Sequence, residues 1–415
     1  MLGYGLDNEK RGENLKLLLT MKAHQLMLLK RKTGIVLLKT MAKNGSFNMA
    51  TEILKKTHRK FGEKRQCHIC KGRFDDLDKL SNHAIEKLSD YEYNTFLVGI
   101  ELPTEVEERE DEFKAEFDVT HGESMKNEFS REIGKRISKI VGKMTEHRKP
   151  DIVIFVSPFS QQIKLHPNPL FIFGRYRKLA RGISQSKWIC TQCKGKGCQS
   201  CNWTGKMVSE SIEEIIAKPV LENTLGENVS FHAAGREDVD ALMLGRGRPF
   251  IVEVKKPKKR FIDLKRIAKT INREAENKVK VSGLNFSNRS AVRRLKKTET
   301  SEKIYRMVVK FDKAVSDEDL KMLEKTLTGA IIYQQTPLRV LHRRTNRIRE
   351  KYIYEAKINK LSLNRVEIKI RCQGGLYIKE LVTGDEGRTK PSITQILNAK
   401  AEPIQLDVMN IMVKR

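Results

Sequence analysis

The spacing of the cysteines is the feature that most restricts what this chain can form. Six of its seven cysteines occur as three Cys-x-x-Cys pairs. Two pairs follow one another in the segment WICTQCKGKGCQSCNWTG, where Cys190 and Cys193 precede Cys198 and Cys201. Four thiolates at this spacing can surround one tetrahedral Zn²⁺ ion, and they leave no open position for catalysis. We therefore predict a structural zinc knuckle in residues 188–207.

The third pair, Cys67 and Cys70, supplies only half of such a site. We consider both as metal ligands that need a second pair from elsewhere. Between them, His68 is expected to be a bystander. Cys372 stands alone and is predicted to be a buried thiol.

The charge of the chain indicates a polyanionic partner. It contains 81 Lys and Arg against 52 Asp and Glu, which gives a net charge of +29. Nucleic acid is the commonest partner of such a chain. No apolar run reaches the roughly 20 residues that a membrane-spanning helix needs, and the first residues do not resemble a signal peptide. We expect a cytoplasmic protein without a membrane partner, in which paired cysteines indicate metal binding rather than disulfides.

Periodicity and composition divide the chain into four regions. Residues 1–89 are predicted to form a basic helical region with one Cys-x-x-Cys pair. Alternating strand and helix patterns over 90–187 predict a small α/β domain. After the knuckle at 188–207, residues 208–415 predict a mixed α+β domain. Within it, 255–300 is predicted to be a basic arm that contacts RNA, and Lys255 to Lys280 is predicted to form its extended helical part.

The segment GREDVDALMLGRGRPF places an acidic cluster on a glycine-rich turn of this basic chain. Its acids are Glu237, Asp238 and Asp240. One interpretation is a Mg²⁺-dependent nuclease, in which Asp240 and Glu253 hold the metal ion and Lys255 steadies the attacking water. That pattern is short, and chance matches to it are frequent in so charged a chain.

A second interpretation starts from the order glycine, arginine, any residue, aspartate, which resembles the catalytic turn of RNA pseudouridine synthases. Downstream, the segment QGGLYIKELVTGDEGRTKPSI supplies Tyr377, Ile378 and Lys379. It resembles the active-site strand of those enzymes, which carries a tyrosine, an apolar residue and a basic residue. Together with QQTPLRVLHRR and IQLDV, these segments make the chain similar to one family in particular, the Pus-ten tRNA pseudouridine synthases of archaea and eukaryotes.

The resemblance implies an α+β fold: a mixed-sheet pseudouridine synthase catalytic domain, preceded by a THUMP-type α/β RNA-binding domain and the zinc knuckle. The segments FLVGIELP and NPLFIFGRYRKLARGISQSKW extend the likeness into the THUMP-type domain. The activity implied is isomerisation of uridines 54 and 55 in the TΨC arm of tRNA. No catalytic metal or other catalytic cofactor is expected, and no obligate protein partner is evident.

The resemblance also assigns roles to single residues. A buried Asp238 would attack C1′ of the ribose or remove a 2′ proton, and the sequence leaves both routes open. The ammonium of Lys379 would hold this carboxylate in its charged form despite burial, and Glu237 and Asp240 are second choices for the catalytic acid. The proposed substrate-binding residues are Tyr305, Tyr377, Lys379, Arg236 and Leu406.

Two further expectations follow from the same likeness. Similar archaeal proteins carry a Cys-x-x-Cys pair just before the stretch that matches LGYGLDNEKRGENLK, and this sequence begins inside that stretch. The pair that would complete the site of Cys67 and Cys70 is therefore expected to be missing. A non-catalytic zinc protein that binds RNA remains the third interpretation.

Overall fold

Two compact units, residues 1–168 and 169–415, make up the computed structural model of this chain. It describes residues 69–116, 123–296 and 301–412. Of the basic helical region predicted for residues 1–89, residues 1–68 with Cys67 lie outside the described residues, and residues 69–89 belong to the first unit, where the helix Leu77–Leu88 packs into the core. Cys70 is described and buried in the core of the first unit.

The first unit is built on a four-stranded sheet with the order β2–β1–β3–β4. β1 pairs in parallel with β2 and β3, and β4 is antiparallel to β3. The strands are β1 (Thr95–Ile100), β2 (Met144–Thr145), β3 (Ile152–Ser157) and β4 (Gln162–Pro167). The helices are α1 (Leu77–Leu88), α2 (Thr104–Glu116) and α3 (Met125–Val141). This is the strand and helix alternation that the sequence predicted for an α/β domain.

α3 shows why these residues form a helix that covers the sheet. Its apolar residues recur at intervals of three and four, and Phe129, Ile133 and Ile137 are fully buried. Such a stripe places the residues on one face. The hydroxyl of Ser124 accepts a hydrogen bond from the first turn, and Gly142 ends the helix in the left-handed conformation.

The second unit is built on a ten-stranded sheet. Its strands are β5 (Leu170–Lys178), β6 (Asn228–Ala233), β7 (Leu242–Lys255), β8 (Val279–Ser287), β9 (Glu302–Phe311), β10 (Ile331–Gln335), β11 (Ile348–Ser362), β12 (Arg365–Gln373), β13 (Thr389–Lys390) and β14 (Ala401–Met412). Its helices are α4 (Ile212–Thr224), α5 (Leu264–Glu274), α6 (Arg289–Lys296), α7 (Asp317–Leu327), α8 (Ile378–Thr383) and α9 (Ile393–Leu397). The predicted α+β class with mixed sheets is confirmed.

Strand pairing divides this sheet into two halves. The path runs β13–β10–β11–β12–β9–β14–β7–β5–β8, and β6 pairs with β7 outside that path. A short parallel contact between β14 and β7, at Asp407 with Leu242, joins the halves. The acidic turn links β6 to β7, so it lies where residues from both halves meet.

Two predicted boundaries are wrong. β5, assigned by the sequence to the domain at 90–187, pairs with β7 and β8 and belongs to the second unit. Residues 255–296, the described part of the predicted arm, pack onto the sheet instead of extending from it, although Leu264–Glu274 is helical as predicted. α5 buries Ile267 and Ile271 in the core, and β8 is an edge strand of the sheet. The high charge of this segment concealed the apolar stripe that docks the helix.

None of the helices in the described parts of the chain is both long and apolar enough to cross a membrane.

Candidate active site

A cavity of about 500 Å³ opens in the second unit beside the turn between β6 and β7. Its volume lies in the range of protein pockets that take small ligands. Eight basic side chains and two acidic ones line it. The basic residues are Arg236, Lys303, Arg339, Arg344, Arg347, Arg349, Lys351 and Lys379. Such a lining favours a ligand with several negative charges, such as a segment of nucleic acid.

Buried side chains hold the backbone of the turn. It begins at Gly235, whose φ of 82° lies in the left-handed region that favours glycine. The side-chain amide of Gln185 donates to the Gly235 carbonyl at 2.9 Å. Lys178 Nζ donates to the carbonyls of Asp238 and Val239 at 3.2 and 2.7 Å. The turn therefore has a fixed conformation before any ligand binds.

Glu237 anchors this turn from below. It is 5% exposed and forms an ion pair with Arg248, with 2.7 Å between Oε2 and Nε. The hydroxyl of Tyr176 donates to Oε1 at 2.9 Å. Arg248, which is itself buried, also donates to the Ala234 carbonyl at 2.6 Å. Because both carboxylate oxygens of Glu237 already have partners, the structure favours a structural role for this residue over its second-choice role as the catalytic acid.

The carboxylate of Asp238 lies at the cavity between two cations. Lys379 Nζ is 3.3 Å from its Oδ2, and Arg339 Nη1 is 3.8 Å from its Oδ1. The expectation of a buried acid is wrong, since 37% of this side chain is exposed. The exposure arises because the side chain faces the open cavity rather than the protein core.

The two cations are themselves positioned by carboxylates. Arg339 Nε donates to the buried Glu380 at 2.5 Å. Lys379 Nζ lies 2.9 Å from Asp240, whose side chain is 66% exposed. Burial lowers the pKa of Lys379, but the hydrogen bond to Asp240 and the charges of both aspartates outweigh it and raise the pKa. Lys379 is therefore a permanent cation beside Asp238 at neutral pH.

The resemblance implied that Tyr377 lies on a strand, but in the structure it does not. It is the residue before α8, because Gly374 and Gly375 end β12 and turn the chain. Gln334 of β10 fixes its backbone: it accepts from the Tyr377 N–H at 2.8 Å and donates to the Tyr377 carbonyl at 3.0 Å. The hydroxyl of Tyr377 accepts a hydrogen bond from Arg344 at 3.2 Å.

The central strands contribute Tyr305 and Leu406, and both line the cavity. Tyr305 lies on β9 opposite Val408 of β14, and Leu406 lies opposite Met307. Burial raises the pKa of Tyr305, so its hydroxyl stays protonated at neutral pH. The two side chains give the cavity an apolar wall against which a base or a sugar can pack.

Arg236 is placed at the cavity by an aromatic side chain. Its guanidinium lies 4.9 Å from the centre of the Trp188 ring, a cation–π contact. Trp188 is the residue where the predicted knuckle begins, and it also lines the cavity. Contact of Arg236 with RNA phosphate stays a prediction.

Several residues of this site were given no role by the sequence. They are the buried residues that hold the turn and the loops around it: Tyr176, Lys178, Gln185, Arg248, Gln334, Glu380 and Asp407. Asp407 is fully buried and pairs with Arg181 at 2.6 Å and Arg306 at 2.8 Å. All of them lie within segments already singled out for their likeness to a family, but that likeness gave none of them a role.

The nuclease interpretation is wrong on geometry. On β5, Phe171 pairs with Glu253 and Lys178 pairs with Met243. The seven-residue step from 171 to 178 spans about 23 Å at roughly 3.3 Å per residue. Met243 is three residues from Asp240, at most about 11 Å of chain. Asp240 and Glu253 therefore cannot share one metal ion.

The predicted knuckle brings its four cysteines together. The sulfur atoms of Cys190, Cys193, Cys198 and Cys201 all lie within 4.8 Å of one another. Three of the sulfur–sulfur distances are 3.7, 3.8 and 3.9 Å. Tetrahedral zinc with bonds of about 2.3 Å requires about 3.8 Å between its sulfur ligands. In the parts of the chain that the structure describes, this is the one cluster of three or more metal-binding side chains.

Family comparisons agree with this architecture. The model of the Pus10 C-terminal domain matches residues 171–412, which is more than half of the chain. The chain belongs to the Pus10 (Pus-ten) family. The archaeal Pus10 THUMP model matches residues 80–157, so the predicted THUMP-type domain is confirmed, and its match ends before β5.

Curated relatives resemble almost the whole chain. The tRNA pseudouridine synthase Pus10 of Thermofilum pendens is 42% identical, over 99% of this chain and 89% of the relative. That of Methanocaldococcus jannaschii is 44% identical, over 97% of this chain and 88% of the relative. A solved Cbf5–Nop10–Gar1 complex matches with 16% identity and a TM-score of 0.31, covering 48% of this chain and 44% of that chain. That structural likeness is too weak to support a conclusion about the Pus10 site.

Proposed function

We propose that this tRNA pseudouridine synthase isomerises uridines 54 and 55 of the TΨC arm, with Asp238 as its catalytic carboxylate and no catalytic metal. The observation that carries the proposal is the position of Asp238 between Lys379 and Arg339, at 3.3 and 3.8 Å, on the edge of a cationic cavity. Membership of the Pus10 family supports the reaction class. The choice of the two uridines rests on that membership alone.

The geometry suits chemistry on an extruded nucleotide. A base inside folded RNA is stacked and paired, so it must leave the stack before an enzyme can reach its glycosidic bond. In the cavity, Tyr305 and Leu406 offer an apolar wall, and Tyr377 offers a second ring at the entrance. Asp238 then attacks C1′ or removes a 2′ proton, and the C1′–N1 bond breaks on either route.

Cations around the entrance are placed to hold the RNA backbone. Arg344 and Arg347 line the cavity and are exposed to solvent. Arginine contacts to phosphate fix the register of an RNA without reading its sequence. We assign tRNA as the partner and the cytoplasm as the place of the reaction, and we give the THUMP unit a part in binding the tRNA.

The cysteine cluster is proposed to hold one structural zinc ion that folds residues 188–207. Elemental analysis of the purified protein is expected to find about one zinc per chain. Changing Cys193 to serine removes one of the four ligands, and we expect that variant to lose the ion. Cys372→Ser is the matched control, because Cys372 lies in the core of the sheet and outside the cluster. Zinc retained after Cys193→Ser would contradict the assignment.

Tritium release tests the reaction and its target positions together. Pseudouridine formation expels the hydrogen from uracil C5, so a tRNA labelled there is expected to release two equivalents at full conversion, with EDTA present. Replacing uridine 54 or uridine 55 by cytidine should leave one equivalent, and replacing both should leave none. Release that is unchanged in the double replacement would overturn the target assignment. No tritium release in EDTA, together with strand scission in a parallel assay with Mg²⁺, would overturn the reaction.

A further inference from the structure

Lys303 is a buried cation whose place in the site is not explained by the reactions assigned above. It lies on β9, two residues before Tyr305, and it lines the cavity although it is only 8% exposed. Its amine lies beneath the catalytic turn: a Cβ atom built on Gly235 would be 3.2 Å from Lys303 Nζ. Its amine borders the cavity, and none of the hydrogen bonds and ion pairs given for the described residues involves it.

The surroundings of this amine disfavour a positive charge. Burial and the neighbouring charge of Arg248 lower the pKa of Lys303 to about 8, with Lys351 adding to the effect. The negative charge of Glu237 acts to raise the pKa of Lys303, but this carboxylate is already paired with Arg248. Across β12 the partner is Cys372, whose pKa burial raises to about 12, so it is a neutral thiol. Across β14 the partner is the apolar Ile411.

A buried donor without an acceptor is costly, and such groups in native proteins usually have a partner. Since the protein surroundings of Lys303 offer none and the cavity borders it, the acceptor is expected to be part of the substrate. Phosphate groups remain hydrated and fit the exposed arginines at the entrance, Arg344 and Arg347. The buried position next to Tyr305 suits the base instead.

We propose that the Lys303 ammonium donates a hydrogen bond to a carbonyl oxygen of the extruded uracil and stabilises the uracil anion that forms when the glycosidic bond breaks. This inference rests on the proposed function. On either route for Asp238, the C1′–N1 bond breaks heterolytically and its electron pair stays on the ring, spread over N1 and the carbonyl oxygens. When C5 then bonds to C1′, the Asp238–C1′ ester breaks on the first route, and Asp238 returns the proton to C2′ on the second. C5 releases its proton and N1 gains one, so the product is an isomer of the substrate.

The anion exists only during the reaction, so Lys303 stabilises that state more strongly than the bound uridine. A fixed donor facing charge that develops in a site shielded from water is worth about 10²- to 10³-fold in rate. We therefore expect Lys303→Met to lower the single-turnover rate at saturating tRNA by about 10²-fold or more. Its tRNA dissociation constant should change by less than about threefold, because phosphate contacts dominate affinity.

Stability separates this role from a structural one. Methionine matches the length of lysine and removes an amine that has no partner, so the urea midpoint of Lys303→Met should equal or exceed that of the wild type. Both tryptophans of the chain, Trp188 and Trp203, lie in the second unit and report its unfolding by fluorescence. Lys310→Met is the matched control on the same strand, at an exposed position, and should keep the wild-type rate.

The pH profile gives an independent test through Lys303→Arg, which keeps the charge. The lowered pKa means that the free enzyme loses the ammonium as pH rises through about 8. The wild-type rate at subsaturating tRNA should therefore fall above that pH. The arginine variant should retain part of the rate and show no fall between about pH 7 and 9, since arginine stays charged.

The outcomes distinguish this inference from the function on which it rests. Wild-type protein that releases no tritium from labelled tRNA would overturn the proposed function. If the wild type is active but Lys303→Met matches it at saturating tRNA, the role of Lys303 is overturned and the function stands. The role of Lys303 is also overturned if Lys303→Met weakens only the affinity for tRNA. The same holds if the rate of Lys303→Arg falls above pH 8 as the wild-type rate does.

Discussion

Replacing Asp238 by asparagine is expected to reduce the single-turnover rate of tritium release by about 10⁴-fold, the upper range for loss of a group that transfers a proton in the rate-limiting step. The amide has the shape of the carboxylate, but it can neither attack C1′ nor accept a 2′ proton. It also leaves Lys379 and Arg339 without the charge that they face at 3.3 and 3.8 Å. Affinity for tRNA should change little, because the cations at the entrance are untouched.

Asp240→Asn is the matched control for this prediction. Asp240 lies two residues further along the turn and contacts the same lysine at 2.9 Å, but its side chain is two-thirds exposed. An exposed ion pair contributes about 1 kcal/mol or less, so we expect less than about a tenfold loss of rate. Inactivity of Asp240→Asn combined with activity of Asp238→Asn would show that the catalytic acid has been assigned to the wrong residue.

The second large effect is expected on stability. Glu237→Gln removes the negative charge from a buried pair in which Arg248 is 1% exposed and only 2.7 Å away. Breaking such a pair leaves an uncompensated charge in the interior and destabilises a protein by about 3–5 kcal/mol. Urea unfolding followed by fluorescence of Trp188 and Trp203 measures the loss in the second unit, where both tryptophans lie.

Glu253→Gln provides the same substitution in a different environment. Glu253 pairs with His232 at 2.8 Å, and both side chains are partly exposed. Glutamine can still form a hydrogen bond with the His232 ring, so the expected loss is about 1 kcal/mol. Equal losses in the two variants would mean that Glu237 does not anchor the turn. The Glu237 variant should also lose activity, since Asp238 is attached to the same segment of backbone.

Local sequence patterns were enough to predict a large part of the fold and of the site. The spacing of four cysteines determined the knuckle, because the sulfur atoms of two Cys-x-x-Cys pairs reach one metal ion without help from distant residues. The alternation of strand and helix likewise identified the α/β domain. Where the sequence resembled a family, it also named Asp238, Lys379, Tyr305 and Leu406, all of which line one cavity.

Long-range pairing was beyond the reach of such patterns. Nothing local to β5 indicates that it pairs with β7 and β8 rather than with the strands before it. The charge of residues 255–300 indicated an arm, yet α5 buries two isoleucines against the sheet. Tyr377 was assigned to a strand, but two glycines place it before a helix instead.

By itself, the sequence determined which four cysteines come together, the class of fold, the basic character of the chain and the segments that line the cavity, because each depends on residue type, short spacing or likeness to a family. Tertiary structure alone decided which charges are buried and which of them have partners. Glu237 and Asp238 are neighbours on one turn, yet Glu237 is buried against Arg248 and Asp238 faces the cavity. Lys303 would have the ordinary chemistry of a lysine on the surface, but the sheet places its amine beneath Gly235, at a largely buried position that borders the cavity. Burial arises from packing between distant strands, and burial sets the strength of every charge in the site.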